Sequence, residues 1–315
     1  MPKVLITGAS GFIGSTAVDH FLTQGWEVLG LDDFRTGKVQ FLTDANANGN
    51  FRMAKVDLYK DEKLADYFAE MDLVLHLAAN ADVRFGKNFP RRDLEQNTIV
   101  THNILEACRI AGVKRFAFSS TGSVYGEAKI VPTPEDAPFP IQTSLYGASK
   151  LASEGLIQAY SETFGLQSWV FRFVSILGPR YTHGHIFDFY KQLITDKSNL
   201  KVLGDGHQNK SYLHVSDCIA GMDMALNLSN EKVNTFNLGT ADSCEVRDSV
   251  AWIVDEMGLN PKVEYGTEKQ GWVGDNPLIR LDTTKIESLG WKPKFTIEEG
   301  IRDTVKYLQQ SPELF

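Results

Sequence analysis

A tyrosine and a lysine stand four residues apart in the segment Tyr146-Gly-Ala-Ser-Lys150. On a helix this spacing puts the phenol and the ammonium on one face. Because a nearby cation favours the charged form of a phenol, Lys150 could lower the pKa of Tyr146. A hydroxyl cluster, Ser119-Ser120-Thr121, follows an apolar run upstream and could hydrogen-bond a substrate oxygen. These residue types predict a general base, Tyr146, that takes a proton from that oxygen.

The chain begins with an apolar run, Val4–Thr7, that leads into three glycines at Gly8, Gly11 and Gly14. Residues 11–24 then have the apolar spacing of a helix. Glycines let a backbone approach phosphates closely, and a helix N-terminus offers free N–H groups and a positive dipole end. The arrangement predicts a site for a dinucleotide pyrophosphate. The alternative is a glycine-rich turn that binds nothing.

An acidic residue, Asp32, ends the second apolar run, 18 residues after Gly14. A carboxylate at this place accepts hydrogen bonds from the ribose hydroxyls and repels a 2′-phosphate. The sequence therefore predicts NAD rather than NADP as the cofactor. Arg35 lies close by in the sequence and weakens that preference slightly. The positive nicotinamide ring would help Tyr146 lose its proton, as Lys150 would.

Further candidates follow the next strand ends. Asp57 and Leu58 come at the end of the third apolar run and could contact the edge of the adenine ring. Small residues follow His76 and would let a ring or a phosphate pass close to the backbone. His76 itself is interpreted as a buried histidine with hydrogen-bonded ring nitrogens rather than as a catalyst, because its neighbours are apolar. Asn97 begins a helical pattern, where it either caps the helix or lies close to the cofactor.

Apolar runs alternate with helical patterns through the first half of the chain. The predicted strands are Val4–Thr7, Val28–Asp32, Met53–Asp57, Leu73–Ala79, Phe116–Ser120 and Trp169–Val174. Helices are predicted over residues 11–24, 97–110 and 145–164, and each is followed by a glycine. Alternation of this type is typical of an α/β fold with a doubly wound parallel sheet.

The sequence pattern changes after Gly178-Pro179, where short strands and turns replace the alternation of strands and helices. Helices are predicted at 246–257 and 297–309, and the segment 235–239 could return to the main sheet. We therefore predict a cofactor-binding domain over residues 1–177, to which 212–240 also contribute. Residues 178–315 are predicted to form a smaller α+β domain that mainly binds the substrate.

Composition excludes several classes of protein. The 315 residues carry a net charge of −8 with no basic tract, which argues against nucleic-acid binding. No apolar run approaches the roughly 18 residues of a membrane span. The first strand follows Met1-Pro-Lys directly, so we expect no signal peptide and a cytoplasmic location.

No metal site is expected. The three cysteines, Cys108, Cys218 and Cys244, are widely spaced and fit neither a disulfide framework nor a zinc site. His183 and His185 straddle a glycine with no further ligands in view, and they are interpreted as residues of a substrate loop or of the surface.

The motifs together resemble those of the extended short-chain dehydrogenases/reductases, within the NAD-dependent sugar-nucleotide epimerase/dehydratase family. The chain is most similar to UDP-glucose 4-epimerases. The matching segments run in family order over most of the chain: Thr-Gly-Ala-Ser-Gly-Phe-Ile-Gly (7–14), Leu-Asp-Asp (31–33), His-Leu-Ala-Ala (76–79), Ser-Ser-Thr-Gly-Ser-Val-Tyr-Gly (119–126), Tyr-Gly-Ala-Ser-Lys (146–150), Gly-Pro-Arg (178–180) and Gly-Asp-Gly-His-Gln (204–208).

This resemblance implies a Rossmann fold, with Tyr146 as the base, Lys150 as its partner and Thr121 as the hydroxyl beside them. It implies a homodimer formed through the helices at 97–110 and 145–164. It also extends the set of NAD contacts, which becomes Gly8, Gly11, Phe12, Ile13, Gly14, Asp32, Asp33, Asp57, Leu58, Leu77, Ala78, Ala79, Asn80, Ala81, Asn97, Ser119, Tyr146, Lys150 and Val174.

The resemblance also separates the reactions that the family performs. Its 4,6-dehydratases carry Asp-Glu directly after the threonine, where this chain has Gly122-Ser123. Decarboxylating relatives have glutamate at the second of these positions. A 4-epimerase needs no further base, because the hydrogen and the proton taken from the sugar return to its opposite face. The sequence therefore favours a sugar-nucleotide 4-epimerase.

The substrate is less well defined, because this chain departs from the family in its second half. Lys210 and Trp272 stand where arginines are usual, and Ser175 stands where an asparagine is usual. A UDP-sugar is expected, and the candidate contacts are Arg84, Ser123, Ser175, Arg180, Lys210 and Trp272. Two alternatives remain open at this point: a dehydratase or reductase on the same scaffold, and a non-catalytic NAD-binding protein with a regulatory or interaction role.

Overall fold

The structure is a computed structural model that describes residues 1–83, 85–139, 141–268 and 278–315. Its strands, in chain order, are β1 (Lys3–Thr7), β2 (Glu27–Asp32), β3 (Phe51–Lys55), β4 (Leu73–His76), β5 (Arg115–Thr121), β6 (Gln167–Phe173), β7 (Ser175–Leu177), β8 (Asn199–Val202), β9 (Asn209–Lys210), β10 (Tyr212–His214), β11 (Val233–Leu238), β12 (Cys244–Glu245), β13 (Lys262–Tyr265) and β14 (Leu278–Ile279).

The helices are α1 (Phe12–Thr23), α2 (Thr43–Asn46), α3 (Leu64–Tyr67), α4 (Phe85–Asn88), α5 (Pro90–Asp93), α6 (Val100–Ala111), α7 (Leu145–Phe164), α8 (His185–Thr195), α9 (Val215–Leu228), α10 (Val246–Glu256), α11 (Thr284–Glu287) and α12 (Ile297–Gln310). A π-helical segment, Leu94–Ile99, runs directly into α6. Short 3-10 turns lie at Val39–Leu42, Gly122–Tyr125 and Pro312–Leu314.

The main sheet has seven strands in the order β3-β2-β1-β4-β5-β6-β11. Strand β1 pairs in parallel with both β2 and β4, and the pairs β2–β3 and β4–β5 are also parallel. The strand order therefore reverses between β1 and β4. Ligands of such sheets bind outside the carboxyl ends of the strands at this switch point. The predicted doubly wound parallel sheet of the Rossmann type is confirmed.

The chain divides into two compact units. The first comprises Met1–Val124, Ser144–Arg172 and Met222–Phe236, and the second comprises Tyr125–Thr143, Phe173–Gly221 and Asn237–Phe315. The roles predicted for residues 1–177 and 178–315, cofactor binding and substrate binding, stay predictions.

In the first unit, helices cover the sheet because their apolar stripes face apolar strands. Phe116 of β5 belongs to the buried core together with Ile104 and Leu105 of α6. Helix α6 also contacts α3 and α7. Helix α1 packs against β1 and β2 and buries Phe12, Ala17, Val18 and Phe21.

In the part of the chain that is described, the second unit contains three small sheets, β7–β10, β8–β13 and β9–β12–β14, beside helices α8, α10 and α12. Helices α8, α10 and α12 contact one another, and α12 also contacts β7 and β10. Helix α12 begins at a reciprocal cap, in which the Thr296 hydroxyl accepts from the Glu299 N–H and the Glu299 carboxylate accepts from the Thr296 N–H. Ile253, Ile301 and Val305 are fully buried where these helices pack.

Two helices, α8 and α9, lie where only short strands and turns were predicted after Gly178. Helix α9 contains Gly221, a residue that weakens a helical pattern. A Cβ at Gly221 would lie 2.9 Å from Leu238 Cδ2 and 3.0 Å from Trp291 Nε1, so close packing explains the glycine. Helix α8 does show apolar spacing, since it buries Ile186, Phe189, Tyr190 and Leu193.

Several element ends also differ from the prediction. Strand β3 spans residues 51–55 rather than 53–57, and β4 ends at His76 rather than at residue 79. The return of the chain to the main sheet is confirmed, because β11 lies beside β6. Within the described residues, no helix combines the length and the apolar character that a membrane span needs.

Candidate active site

Thr121 and Tyr146 meet at the carboxyl end of β5. Thr121 is the last residue of that strand, and Tyr146 is the second residue of α7. The helix starts there because the Ser144 Oγ accepts a hydrogen bond from the Gly147 N–H at 3.0 Å. The Thr121 and Tyr146 side chains are hydrogen-bonded to each other. The Thr121 Oγ1 also accepts from the Ser123 N–H at 3.1 Å, which brings Ser123 into the same cluster.

Lys150 follows one turn later on α7 and is buried. Its Nζ donates a hydrogen bond to the Ser119 carbonyl oxygen at 2.7 Å and lies 4.5 Å from the centre of the Phe118 ring. Burial lowers the pKa of Lys150 to about 7, and the Glu154 carboxylate opposes that decrease. Ser119, a predicted NAD contact, therefore has a second function: its backbone fixes the lysine.

Burial raises the pKa of Tyr146 to about 12. The hydrogen bond from Thr121 opposes this increase, and the Asp93 carboxylate adds to it. The predicted lowering of this pKa by Lys150 is not seen here, because the Lys150 ammonium is bonded to Ser119 and has a depressed pKa of its own. The described residues of the protein by themselves keep the phenol protonated near neutral pH.

A buried ion pair lies one turn beyond Lys150. The side chains of Arg172 and Glu154 are 3% and 1% exposed, and Arg172 Nη2 and Nε donate to the two Glu154 oxygens at 2.7 and 3.1 Å. The Ser120 hydroxyl donates to the same carboxylate. Sequence analysis did not single out Glu154, although its spacing of four from Lys150 places both on one face of α7.

His76 is a core histidine, as interpreted from the sequence. Its Nδ1 lies 2.7 Å from Thr7 Oγ1 and its Nε2 lies 3.2 Å from Thr101 Oγ1, so both ring nitrogens have partners. Burial lowers its pKa to about 3, and Lys150 adds to the decrease. The neutral ring therefore ties β1 and β4 to α6 and takes no part in proton transfer.

Asn97 lies in the π-helical segment and caps no helix. Its Oδ1 accepts from the Asn80 N–H at 2.9 Å, and its Nδ2 donates to Ser149 Oγ at 2.9 Å. Ser149 in turn donates to the Tyr146 carbonyl oxygen at 2.8 Å. Asn97 therefore connects the loop after β4 to the helix that carries Tyr146.

Asp93 joins this network from the other side of Asn80. Its Oδ1 accepts from Asn80 Nδ2 at 2.7 Å, whereas its buried Oδ2 has no hydrogen-bond partner in the part of the chain that is described. Burial raises the pKa of this carboxyl group. Sequence analysis missed Asp93; the signal available was its position one helical turn before Asn97.

The glycine-rich loop has the close contacts that a dinucleotide site needs. A Cβ at Gly14 would lie 1.9 Å from the Gly8 carbonyl oxygen, and a Cβ at Gly8 would lie 2.8 Å from the Ala78 N. The Thr7 Oγ1 accepts from the N–H groups of Leu77 and Ala78 at 3.2 Å, which joins the ends of β1 and β4. The Ser10 Oγ is buried without a hydrogen-bond partner among the described residues.

These features fit a bound pyrophosphate. Two residues of the loop, Gly8 and Gly11, carry no side chain, and α1 begins with Phe12 and Ile13 directly after it. A helix N-terminus leaves N–H groups without intrahelical partners, and these can bind phosphate oxygens. Ala79 and Ala81 continue the loop after β4 with small side chains, while Leu58 is buried in the core of the first unit.

The remaining acidic candidates lie at the ends of β2 and β3. Asp32 accepts backbone hydrogen bonds from Ser10 (3.0 Å, to Oδ2) and Phe34 (2.8 Å, to Oδ1). Asp33 and Asp57 both contact the Arg35 guanidinium, at 2.5 and 3.3 Å. The two oxygens of Asp32 thus face the start of the glycine-rich loop and the loop that follows β2.

The second unit holds other candidates on separate elements. Val174 is buried beside Leu238, and Ser175 is exposed on β7. Arg180 has a φ of 71°, which is unusual for a residue with a side chain and is found most often at functional loops. Lys210 lies on β9, between Cys244 of β12 and Ile279 of β14. Arg84 and Trp272 lie outside the described residues.

The two loop histidines have different environments. His183 is exposed and stacks on Tyr181. His185 is partly exposed and begins α8, with its ring 3.2 Å from Ser249 Oγ and in contact with Tyr212. Burial lowers the pKa of His185 to about 3, and Lys210 adds to that decrease. His185 therefore helps to pack the second unit.

Comparison with known proteins gives a consistent picture. A model of the NAD dependent epimerase/dehydratase family matches residues 4–239. A putative UDP-glucose 4-epimerase of Methanocaldococcus jannaschii is 33% identical over 98% of this chain and 99% of its own length.

Two solved structures cover 98% of this chain and 99% of their own. The UDP-glucose 4-epimerase of Thermotoga maritima with UDP-glucose has a TM-score of 0.88 at 31% identity. The UDP-glucuronic acid 4-epimerase of Bacillus cereus, in complex with UDP-glucuronic acid and NAD, has a TM-score of 0.89 at 28% identity.

Proposed function

The chain belongs to the NAD-dependent epimerase/dehydratase family, and on that premise we propose that it is a sugar-nucleotide 4-epimerase of the UDP-glucose/UDP-galactose type. As a member of this family it is an NAD-dependent enzyme. The observation that carries the proposal is the hydrogen bond between Tyr146 and Thr121 at the end of β5. The next two residues, Gly122 and Ser123, carry no acid.

In the proposed reaction, Tyr146 takes the proton from the sugar 4-hydroxyl and later returns it. Thr121 donates a hydrogen bond to the sugar oxygen or to the phenol and so keeps the two oxygens together. Since burial raises the pKa of Tyr146 to about 12, the phenol needs positive charge beside it to act near neutral pH. Lys150 is the cation that the chain places on the same helix face.

NAD, when bound, supplies a positively charged nicotinamide that accepts the hydrogen of C4 as hydride and later gives it back. The proposed contacts to its pyrophosphate come from the glycine-rich loop and the start of α1. Asp32 is proposed to bind the ribose hydroxyls, and Asn80 and Ala81 to border the nicotinamide side. Recycling in place means that the protein has no need of added cofactor beyond one equivalent.

The absence of acid/base groups from Gly122-Ser123 favours epimerisation over dehydration. A 4,6-dehydratase has to remove a C5 proton and protonate the departing C6 hydroxyl, which requires further titratable side chains. An epimerase uses one base twice. After the 4-keto intermediate turns over, the phenol of Tyr146 protonates the oxygen from which it took the proton.

Ser123, Ser175, Arg180 and Lys210 are proposed as contacts to the UDP-sugar. Lysine binds phosphate as a point charge rather than as a planar fork. We further propose a homodimer formed through α6 and α7, and a cytoplasmic location. The three cysteines support a reducing compartment, because all are free and buried.

The proposal is tested with purified protein and a panel of UDP-glucose, UDP-N-acetylglucosamine and UDP-glucuronic acid. No NAD is added beyond one equivalent of enzyme, and the products are identified by NMR. We expect one substrate to reach an equilibrium mixture with its C4 epimer. A 4-keto-6-deoxy product, or stoichiometric consumption of NAD or NADPH, would contradict the epimerase assignment. The Tyr146→Phe variant serves as the inactive control.

A further inference from the structure

The loop after β2 has a shape fixed by two neighbouring carboxylates. Asp32 Oδ1 accepts a hydrogen bond from the Phe34 N–H at 2.8 Å, and Asp33 Oδ1 accepts one from the Arg35 N–H at 2.9 Å. Phe34, which follows both aspartates, has a φ of 63°, in the left-handed region. Asp and Asn are the residues whose short side chains form such local turns. The turn therefore sets where the Arg35 side chain starts.

The Arg35 guanidinium lies between two carboxylates. Its Nε donates to Asp33 Oδ2 at 2.5 Å, and its Nη2 lies 3.3 Å from Asp57 Oδ2. The other Asp57 oxygen accepts from the Tyr59 N–H at 3.1 Å, so this carboxylate is also held by its own turn. Both carboxylates are thus positioned by hydrogen bonds from backbone N–H groups as well as by their contacts with Arg35.

This geometry bears on the sequence interpretation that Arg35 slightly weakens the preference for NAD. An arginine just after the acidic residue of β2 is a ready partner for a 2′-phosphate, because its fork of N–H donors matches phosphate oxygens. Here the Asp33 and Asp57 carboxylates already contact the Nε and Nη2 groups of the Arg35 guanidinium. Asp32 adds a third negative charge at the same strand end.

We propose that Asp33 and Asp57 are specificity residues that hold Arg35 away from the 2′ position of the bound dinucleotide. The proposal rests on the dinucleotide site of the proposed function. It assigns the choice of NAD over NADP to four side chains rather than to Asp32 alone. Without the clamp formed by Asp33 and Asp57, Arg35 would bind a 2′-phosphate, and the preference of the protein for NAD over NADP would decrease.

The clamp is weak enough to be opened by one substitution. The Arg35 side chain is 52% exposed, and ion pairs at such sites are worth little individually. Asp33→Asn removes the charge that binds Arg35 Nε and keeps an oxygen able to accept from the Arg35 N–H. The turn should survive, so the variant releases the guanidinium without unfolding the loop.

The experiment measures which dinucleotide the purified full-length protein holds. Each variant is equilibrated with equal concentrations of NAD and NADP, freed of unbound nucleotide by gel filtration, and denatured. The released dinucleotides are then quantified by chromatography. The variants are Asp33→Asn, Arg35→Ala and the double variant Asp33→Asn/Arg35→Ala, beside the wild type. Glu264→Gln, which removes one negative charge from the exposed pair with Lys262 (2.8 Å), is the charge control.

We expect Asp33→Asn to raise the bound NADP:NAD ratio about fivefold, the size of one exposed ion pair. Arg35→Ala and Glu264→Gln should leave the ratio within about twofold of the wild type, and the double variant should return to that range. Asp57→Asn should raise the ratio less than Asp33→Asn, since its contact with Arg35 is longer.

Three results would overturn the proposal. If the gain persists in the double variant, simple repulsion by Asp33 explains it. If Arg35→Ala lowers the NADP share of the otherwise unchanged protein, Arg35 already reaches the 2′ position. If the wild type retains neither dinucleotide, the proposed function fails and the specificity role fails with it.

Discussion

The catalytic cluster of the first unit and the candidate substrate residues of the second unit are held in different ways. Thr121, Tyr146 and Lys150 lie on one strand and one long helix, and each has a hydrogen bond that fixes it. Arg180 and Lys210 lie on a loop and on a two-residue strand.

This difference separates the candidate residues for the chemical step from the candidate residues for substrate binding. Proton transfer needs oxygen atoms positioned to a fraction of an ångström, and regular elements with locked side chains supply that precision. Recognition of a nucleotide phosphate by a lysine tolerates looser placement, because a point charge acts over several ångströms. Variants in the first group should therefore affect the chemical step, and variants in the second should affect binding.

The largest effect is expected for Tyr146→Phe. Phenylalanine preserves the ring and removes the oxygen that accepts the proton, so kcat should fall by about 10²–10⁴-fold. Bound NAD and the unfolding midpoint should stay close to those of the wild type.

Tyr160→Phe is the matched control on the same helix, because its hydroxyl donates to Glu106 at 2.6 Å, away from the cluster. Steady-state kinetics with the substrate found by NMR provide the measurement. A Tyr146→Phe enzyme as active as Tyr160→Phe would remove the phenol from the mechanism.

The next effect concerns the stability of the catalytic helix. Glu154→Gln removes the carboxylate charge that pairs with the buried Arg172 guanidinium, and breaking such a pair costs about 3–5 kcal/mol. Glu162→Gln on the same helix breaks an exposed pair with Lys232 and should cost about 0–1 kcal/mol. Urea denaturation of both variants measures the contrast. Equal losses would mean that burial does not distinguish these two pairs.

A smaller change, in binding rather than chemistry, is expected for Lys210→Met. Loss of a charged hydrogen bond to a phosphate should raise KM about tenfold or more while kcat changes less. Lys201→Met removes an exposed charge from β8 of the same unit and should change neither constant. If kcat for Lys210→Met falls as far as for Tyr146→Phe, the division between chemistry and binding is wrong.

The last effect is a pH dependence of stability at Lys150, which develops gradually over several pH units. Burial lowers its pKa from 10.5 to about 7 in the folded protein. Between these values the unfolded chain binds more protons than the folded one, so this residue makes the free energy of unfolding increase with pH. Below about 7 both states carry the proton, and the contribution is constant.

Lys150→Met removes this increase, so the wild type should gain stability relative to the variant as pH rises through that window. Urea midpoints at several pH values, with Lys201→Met as the control, provide the measurement. Parallel curves for wild type and Lys150→Met would show that the buried ammonium does not titrate with a depressed pKa.

Much of the first unit could be predicted from the sequence because its signals are local. Apolar runs bounded by glycines and helical spacing locate β1, β2, α1 and α7 within one or two residues. Helices α8 and α9 were missed although α8 has clear apolar spacing. Short strands flank both helices, and α9 contains Gly221, a glycine that is explained by close packing against Trp291.

The sequence by itself determined which groups are candidates for the chemistry: a threonine, a tyrosine and a lysine at fixed spacing, and glycines directly before a helix. These motifs are defined by residue type and by neighbours within a few positions, so the sequence alone is enough to locate them. Tertiary structure decided how the groups are tuned. Lys150 is bonded to the Ser119 carbonyl, Tyr146 has a raised pKa, and Arg35 is held by Asp33 and Asp57.

The physical reason is that burial and pairing depend on which strands become neighbours. Asp57 reaches Arg35 because β3 lies beside β2, and His76 reaches Thr7 because β4 lies beside β1. Residues far apart in the chain meet only after the sheet has formed, and desolvation then shifts each pKa by an amount that no local pattern encodes.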